Sequence, residues 1–277
     1  MVLALSQQEV DGGACIETEK SSAGISRIAL VIEYNGRRYA GSQMQSDVAT
    51  VQSELQDALL ALTGEDIRVS MAGRTDAGVH AYGQVASFIT SSSLPIHTFI
   101  SGMNHFLPDD ISVKSAKAVE ESFDPRRHAS KREYEYCILN SNTRSALWKG
   151  RAYQVSGHID ACAMDRACKL LLGEHDFASF TPALDDIEKT TVRHMYDAGT
   201  RRAGNMVVVK LVASAFLAHQ VRNTVGALIR VGQGKMTQEE FQAIISVREF
   251  GLAGPSAPAC GLYLNKVYYS NSLEEGI

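Results

Sequence analysis

No stretch of this sequence is apolar for long enough to cross a membrane. The opening MVLALSQQEV holds an apolar run of about five residues with no basic flank and no A-x-A site, too short for a signal peptide or a spanning helix. Cysteine is sparse and scattered. Cys15, Cys137, Cys162, Cys168 and Cys260 are odd in number and no two form C-x-x-C. That argues against a disulfide framework or a zinc site and points to a reducing, cytoplasmic setting. Cys162 and Cys168, six apart, would fall on different faces of a helix. His80, His175 and His219 are widely separated and no H-x-x-x-H occurs, so no metal is expected. Gly232 and Gly234 lack a third glycine and a preceding strand, which leaves no dinucleotide loop.

An excess of basic charge is also missing. The formal charge is −4 with a pI near 6.1, whereas nucleic-acid binders are usually basic. The acids concentrate at the ends, with Glu9, Asp11, Glu17 and Glu19 against Lys20, and Glu274 and Glu275 at the far terminus. Without those six acids and one lysine, 26 basic and 25 acidic residues leave the body near neutral at +1. Within it Arg126, Arg127, Lys131 and Arg132 form a basic run, which reads as a solvated loop or an anion-binding surface.

What is present is an ordinary globular composition, 45 % apolar and 21 % charged, over a length that suits one large domain or two smaller ones sharing a core. Residues 1–25 lack periodicity and read as a mobile tail, as do 271–277. Alternation predicts strands from Ser26, over Ile67 to Met71, Gln84 to Thr90 and Ile111 to Val119. A helix is expected from N-cap Thr50 to Gly64, and a short one around Thr98 to Phe106. A second half repeats the rhythm. It has strands at Tyr134 to Leu139, Met206 to Ala213 and Leu262 to Tyr269. Its helices carry Met164, Ala167 and Leu171 up to Gly173, then Val221 to Ile229, then Phe241 to Ile245 after a Thr237–Glu240 capping box. The reading is an α+β protein of two related subdomains, 26–122 and 123–270.

Between the second and third predicted strands lies Gly73-Arg74-Thr75-Asp76-Ala77-Gly78-Val79-His80-Ala81. Its two glycines suggest a tight loop with unusual backbone angles, the kind of place that holds functional side chains. Arg74 beside Asp76 is equally consistent with a loop salt bridge.

The whole string G-R-T-D-A-G-V-H resembles the catalytic signature of the TruA-type tRNA pseudouridine synthases. The resemblance covers nearly all of residues 27–270. Tyr34-Asn35-Gly36, Gly41-Ser42-Gln43-Met44-Gln45 and Thr50-Val51-Gln52 are similar to the family's Y-D-G, G-W-Q-x-Q and T-V-Q, with Asn35 for Asp and Ser42 for Trp as departures. Further matches are Phe123-x-Pro125-Arg126, Arg132-x-Tyr134-x-Tyr136, Leu171 to Phe177, Phe216-Leu217-x-His219-x-Val221-Arg222-Asn223 and Ala257-Pro258-Ala259-x-Gly261-Leu262.

The resemblance implies two RRM-like (ferredoxin-like) subdomains whose antiparallel sheets join into one platform with a central active-site cleft. It implies an isomerase that turns uridine into pseudouridine at positions 38–40 of the tRNA anticodon stem-loop, as a homodimer and without a cofactor. It also implies that the Asp76 carboxylate is essential, whether it attacks C1′ or assists a glycal route. Tyr134 would pack against the flipped uracil and help remove its C5 proton. Arg222 is the expected partner of Asp76 and Arg74 the competitor, with Arg74 more suited to the RNA. His219, one face with Arg222 at i, i+3 on a helix, would support the cleft. Arg126 and its neighbours would meet phosphates. Rival readings are a related synthase acting at other RNA positions and a non-catalytic RNA-binding module. The latter has no need of Asp76, Tyr134 and Arg222 together.

Overall fold

The computed structural model describes residues 24–182 and 190–270. Most of the expected N-terminal tail with Cys15, and the C-terminal tail, lie outside the described residues. The first half runs β1 (Ser26–Tyr34), α1 (Val51–Thr63), β2 (Ser70–Met71), β3 (His80–Thr90), α2 (Ile96–Phe106) and β4 (Ile111–Val119). The second runs β5 (Lys131–Asn140), β6 (Tyr153–Val155), α3 (Ala161–Lys169), β7 (Gly173–Asp176), β8 (Val192–Ala203), β9 (Met206–Ala213), α4 (Gln220–Gly232), α5 (Gln238–Val247) and β10 (Leu262–Tyr268). The fold is α+β around one large mixed sheet, ordered β4-β1-β3-β10-β5-β9-β8-β7, with β2 on β3 and β6 on β5.

The last strand joins the halves. β10 lies antiparallel to β5 but parallel to β3, through Tyr263 opposite His80 and Leu264 opposite Ala81. The seam between the two expected antiparallel sheets is therefore a parallel pair, and it runs beside the Gly73–Ala81 segment. Helices α1 and α2 cover the first half, and α3, α4 and α5 pack together over the second. In α1 the apolar positions Val51, Leu55, Ala58 and Leu59 are buried, Thr50 caps the start with Ser53 and Gly64 ends it. Thr237 and Glu240 form the capping box before α5.

Several expectations are corrected. The strand expected over Ile67 to Met71 shrinks to Ser70–Met71. Side chains of α1 take the ladder's place there: Gln56 Oε1 accepts the Val69 N–H at 3.2 Å and Gln52 Nε2 donates to the Val69 carbonyl at 3.0 Å. The helix expected to run to Gly173 stops at Lys169, and Gly173 instead opens β7. The twelve-residue β8 was not foreseen because only Met195 and Ala198 in it are buried, leaving no alternation to read. Residue His219 is not on α4 but forms its N-cap, with φ of 58°.

Candidate active site

The loop between β2 and β3 is fastened from three sides before it presents Asp76. Thr75 donates its N–H to Ser42 Oγ at 2.8 Å, and the Ser42 N–H returns a bond to the Thr75 carbonyl at 3.1 Å. Tyr34 and Thr75 share a hydroxyl hydrogen bond of 2.8 Å, and burial pushes the Tyr34 phenol up to about 12. The buried Gln84 donates to the Gly73 carbonyl at 2.8 Å. Of the two loop glycines, only Gly78 adopts the left-handed region, at φ of 79°, so Gly73 has no such conformational need. The two departures from the resembled pattern have local roles: Ser42 holds the loop, and Asn35 Oδ1 accepts the Arg37 N–H to cap a 3-10 turn.

Asp76 is about one-third exposed, and the partner it takes is Arg222, whose Nη1 stands 2.7 Å from Oδ2. The Arg222 guanidinium is itself held, Nε donating to the Ala257 carbonyl at 2.8 Å while the Ala257 N–H donates back to the Arg222 carbonyl at 3.0 Å. That loop can cross α4 because of Gly226, where a Cβ would meet the Pro255 carbonyl oxygen at 2.3 Å. His219 Nε2 lies 3.6 Å from the same Asp76 oxygen, beyond hydrogen-bond range. His219 takes a positive φ of 58°, uncommon for a non-glycine residue, and lines both cavities beside Asp76.

Asp76 stands where two cavities meet. One, of about 680 Å³, has Tyr134, Phe216 and Leu262 in its lining together with Arg126, Arg132 and Arg193. The other, of about 560 Å³, is lined by Gln43, Gln45 and Ala77 among others. Arg74, Thr75, Asp76, His219 and Arg222 line both. Arg74 is exposed at this border rather than paired with Asp76. Tyr134 on β5 is buried, with Phe216 edge-on to its ring at 5.1 Å, and burial raises its phenol well above the ordinary value. Tyr136, two residues on, is fully buried and donates to the Pro258 carbonyl at 2.7 Å.

The basic run divides. Arg126 and Arg127 are exposed, and Arg126 reaches the larger cavity. Arg132 turns inward instead of toward solvent. Its guanidinium donates to the carbonyls of Ala129, Ser214, Ala72 and Arg126, at 2.6 to 3.3 Å, and so ties β5 to the Asp76 loop. Lys131 sits 4.5 Å over the Tyr196 ring. Of the four cations of the run, Arg126 and Arg127 stay exposed, whereas Lys131 lies over a ring and Arg132 is engaged with four carbonyls. The histidines also disperse: His80 accepts the Gly36 N–H and stacks on Tyr263, and His175 is bonded to the Leu172 carbonyl. Among the described residues, no three His, Cys, Asp or Glu side chains group as metal ligands, and no helix is long and apolar enough to cross a membrane. Arg193 and Gln220, both lining the larger cavity, were not singled out from the sequence, although Gln220 lies inside the His219–Asn223 segment.

Fold and site together define the class: an α+β protein with a guanidinium-held carboxylate at the centre of an arginine-lined cleft. The model of the tRNA pseudouridine synthase family matches residues 30–126 and 167–270, and the chain belongs to that family, one of isomerases. The tRNA pseudouridine synthase A of Acetivibrio thermocellus is 42 % identical over 242 residues, 87 % of this chain and 99 % of the relative. That of Actinobacillus pleuropneumoniae serotype 7 is 43 % identical over 88 % of this chain and 92 % of its own length. That of Pseudoalteromonas atlantica is 42 % identical with the same coverage. A solved structure titled "Crystal Structure of a Cbf5-Nop10-Gar1 Complex" is similar at a TM-score of 0.30 and 12 % identity over 76 % of this chain and 56 % of that one, too slight a likeness to support an inference.

Proposed function

We propose that this chain isomerises uridine to pseudouridine in tRNA, at positions 38–40 of the anticodon stem-loop, with Asp76 as the catalytic group. The observation that carries the reading is the Asp76–Arg222 pair at the junction of two cavities, in a chain whose relatives are named tRNA pseudouridine synthase A. The reaction breaks N1–C1′, turns the uracil, and forms C5–C1′; the C5 proton leaves and N1 gains one. Atoms balance without an oxidant or a phosphate donor.

A stacked base must first be flipped out, at a cost of a few kcal/mol. The larger cavity supplies an aromatic floor in Tyr134 and Phe216, against which a uracil would stack. Arg74, exposed at the border, suits the space the nucleotide vacates. Arg222 holds and aims the carboxylate through the 2.7 Å hydrogen bond, whether Asp76 attacks C1′ or takes a ribose proton. Tyr134 suits stacking better than proton abstraction from C5, because its burial opposes the phenolate that a base would need.

We also read 26–122 and 123–270 as two RRM-like subdomains. The strand order β4-β1-β3-β2 of the first recurs as β10-β5-β9-β8 in the second, which supports that reading. A homodimer spanned by one tRNA would double the basic surface that a near-neutral body lacks, in a cytoplasmic protein that needs no cofactor.

The test is direct. Purified protein is incubated with an unmodified tRNA transcript, and pseudouridines are mapped by carbodiimide labelling and primer extension. Stops at positions 38–40 are expected; stops at other positions would favour the related-synthase reading, and binding without any stop would favour the RNA-binding module.

A further inference from the structure

The connection between β5 and β6, residues 141–152, carries Arg144, Lys149 and Arg151 and no acid. All three cations are exposed, and beside them stand Leu147, 84 % exposed, and the single tryptophan of the chain, Trp148, 40 % exposed. A histidine fixes this loop in place. His80 Nδ1 accepts the Gly36 N–H at 3.2 Å, so Nε2 carries the proton and donates to the Gly150 carbonyl at 3.0 Å. One neutral imidazole thus pins both the 36–38 turn and the 148–151 turn to the first residue of β3. Arg37 crosses the second turn so closely that a Cβ on Gly150 would lie 2.9 Å from its Cδ. Arg37 and Lys149 therefore belong to one patch.

Two observations set this patch apart. Cations elsewhere on the sheet take carboxylates: Lys114 pairs with Glu33, Arg201 with Glu135, and Lys210 with Glu133 and Asp197. Arg38 pairs with Asp110 at 3.3 Å, and Arg151 lines a cavity of about 380 Å³ together with Glu33, Asp109 and Asp110. Among the described residues, Arg37 and Lys149 make no ion pair. The patch also leads to the site. The Tyr39 carbonyl accepts the Gly78 N–H at 3.4 Å, and Ala40, Gly41, Gln43 and Gln45 then line the 560 Å³ cavity beside Asp76, which Arg126 does not line.

We propose that Arg37, Lys149 and Trp148 form a second RNA-contact surface, where the strand leaving the 560 Å³ cavity lays phosphates on the two cations and an unpaired base on the indole. This rests on the pseudouridylation reading above. A guanidinium and an ammonium without carboxylates suit phosphate oxygens, and an exposed indole beside them is a stacking platform for a base of any sequence. A second copy of this chain fits less well, because a two-fold axis would set the unpaired cations of one patch against those of the other.

The experiment measures binding to an unmodified tRNA transcript over a range of salt, with variants first checked by circular dichroism and melting temperature. The double change Arg37→Ala, Lys149→Ala should weaken binding at least about fivefold and flatten the log–log salt slope by roughly 1.4 to 1.8, two contacts' worth. Trp148→Ala should weaken binding at least about fivefold with the slope kept, and Trp148→Phe should recover most of that loss. A folded double variant with unchanged affinity and slope would overturn the proposal, as would a folded Trp148→Ala that binds like wild type. A second measurement needs no variant. Acetylation of Lys149 by an N-hydroxysuccinimide ester, followed by mass spectrometry, should be suppressed when wild type is saturated with tRNA. Equal reactivity with and without tRNA would overturn the proposal. So would protection that is present before RNA is added and lost on dilution, since that marks a second copy as the occupant. Pseudouridine mapping on the same wild-type protein reports separately on the parent reading.

Discussion

Thr75 shows how much of the site rests on single hydrogen bonds. Its N–H is satisfied by Ser42 Oγ, and Ser42 is fully buried. Replacing Ser42 by Ala strands that donor, which costs about 1–3 kcal/mol. The urea midpoint should fall accordingly, with turnover falling too because the loop carries Asp76. An unchanged midpoint would mean that the remaining bonds, from Tyr34, Gln84, Arg132 and the Ser42 backbone, hold the loop without the Ser42 hydroxyl. At this scale the sequence was partly readable. The string around Asp76 announced the carboxylate, and Arg222, expected as its partner ahead of Arg74, is the residue that stands 2.7 Å from it across 146 residues. Ser42 read only as a departure from the resembled pattern, and its bond to Thr75 was out of sight because residues 33 apart leave no trace in spacing. Arg132 read as a phosphate contact, since nothing in a run of cations tells which one folds inward to four carbonyls.

Elements with a clean apolar period were readable in advance. The strand Ile111–Val119 and the strand Met206–Ala213 fall where alternation put them, and Thr50 and Gly64 bracket α1 as their capping chemistry requires. β8 was not, because its pairing with β9 is made by backbone groups while its side chains stay largely in solvent. The central strand β5 adds a pH-sensitive feature of its own. Burial would raise the Glu133 carboxyl, yet hydrogen bonds from Tyr268 and Asn265 and the Lys210 ammonium at 3.3 Å outweigh it and hold the group below its ordinary 4.5. A carboxyl depressed in the folded state stabilises above its unfolded pKa, and that contribution fades as pH falls below about 4.5. Wild type should therefore exceed Glu133→Gln in urea midpoint at pH 7, and the gap should narrow by pH 3. A gap independent of pH would show that the charge of Glu133 contributes nothing to stability.

The whole molecule is acidic by sum and basic by place. Acids crowd the terminal segments, while Arg74, Arg126, Arg193 and Arg222 gather at the cleft. Each phosphate contact releases counterions, with a log–log salt slope of roughly −0.7 to −0.9. The double change Arg126→Ala, Arg127→Ala should weaken tRNA binding and flatten that slope by up to about two contacts, while turnover at saturating RNA changes little. An unchanged slope in a folded variant would put the RNA surface elsewhere. The central claim is that the charge on Asp76 does the chemistry, and Asp76→Asn tests it most directly because shape and hydrogen bonding are nearly kept. Single-turnover isomerisation of an anticodon stem-loop by this variant should vanish while its affinity for the RNA is retained. Appreciable pseudouridine formed by Asp76→Asn would contradict the account.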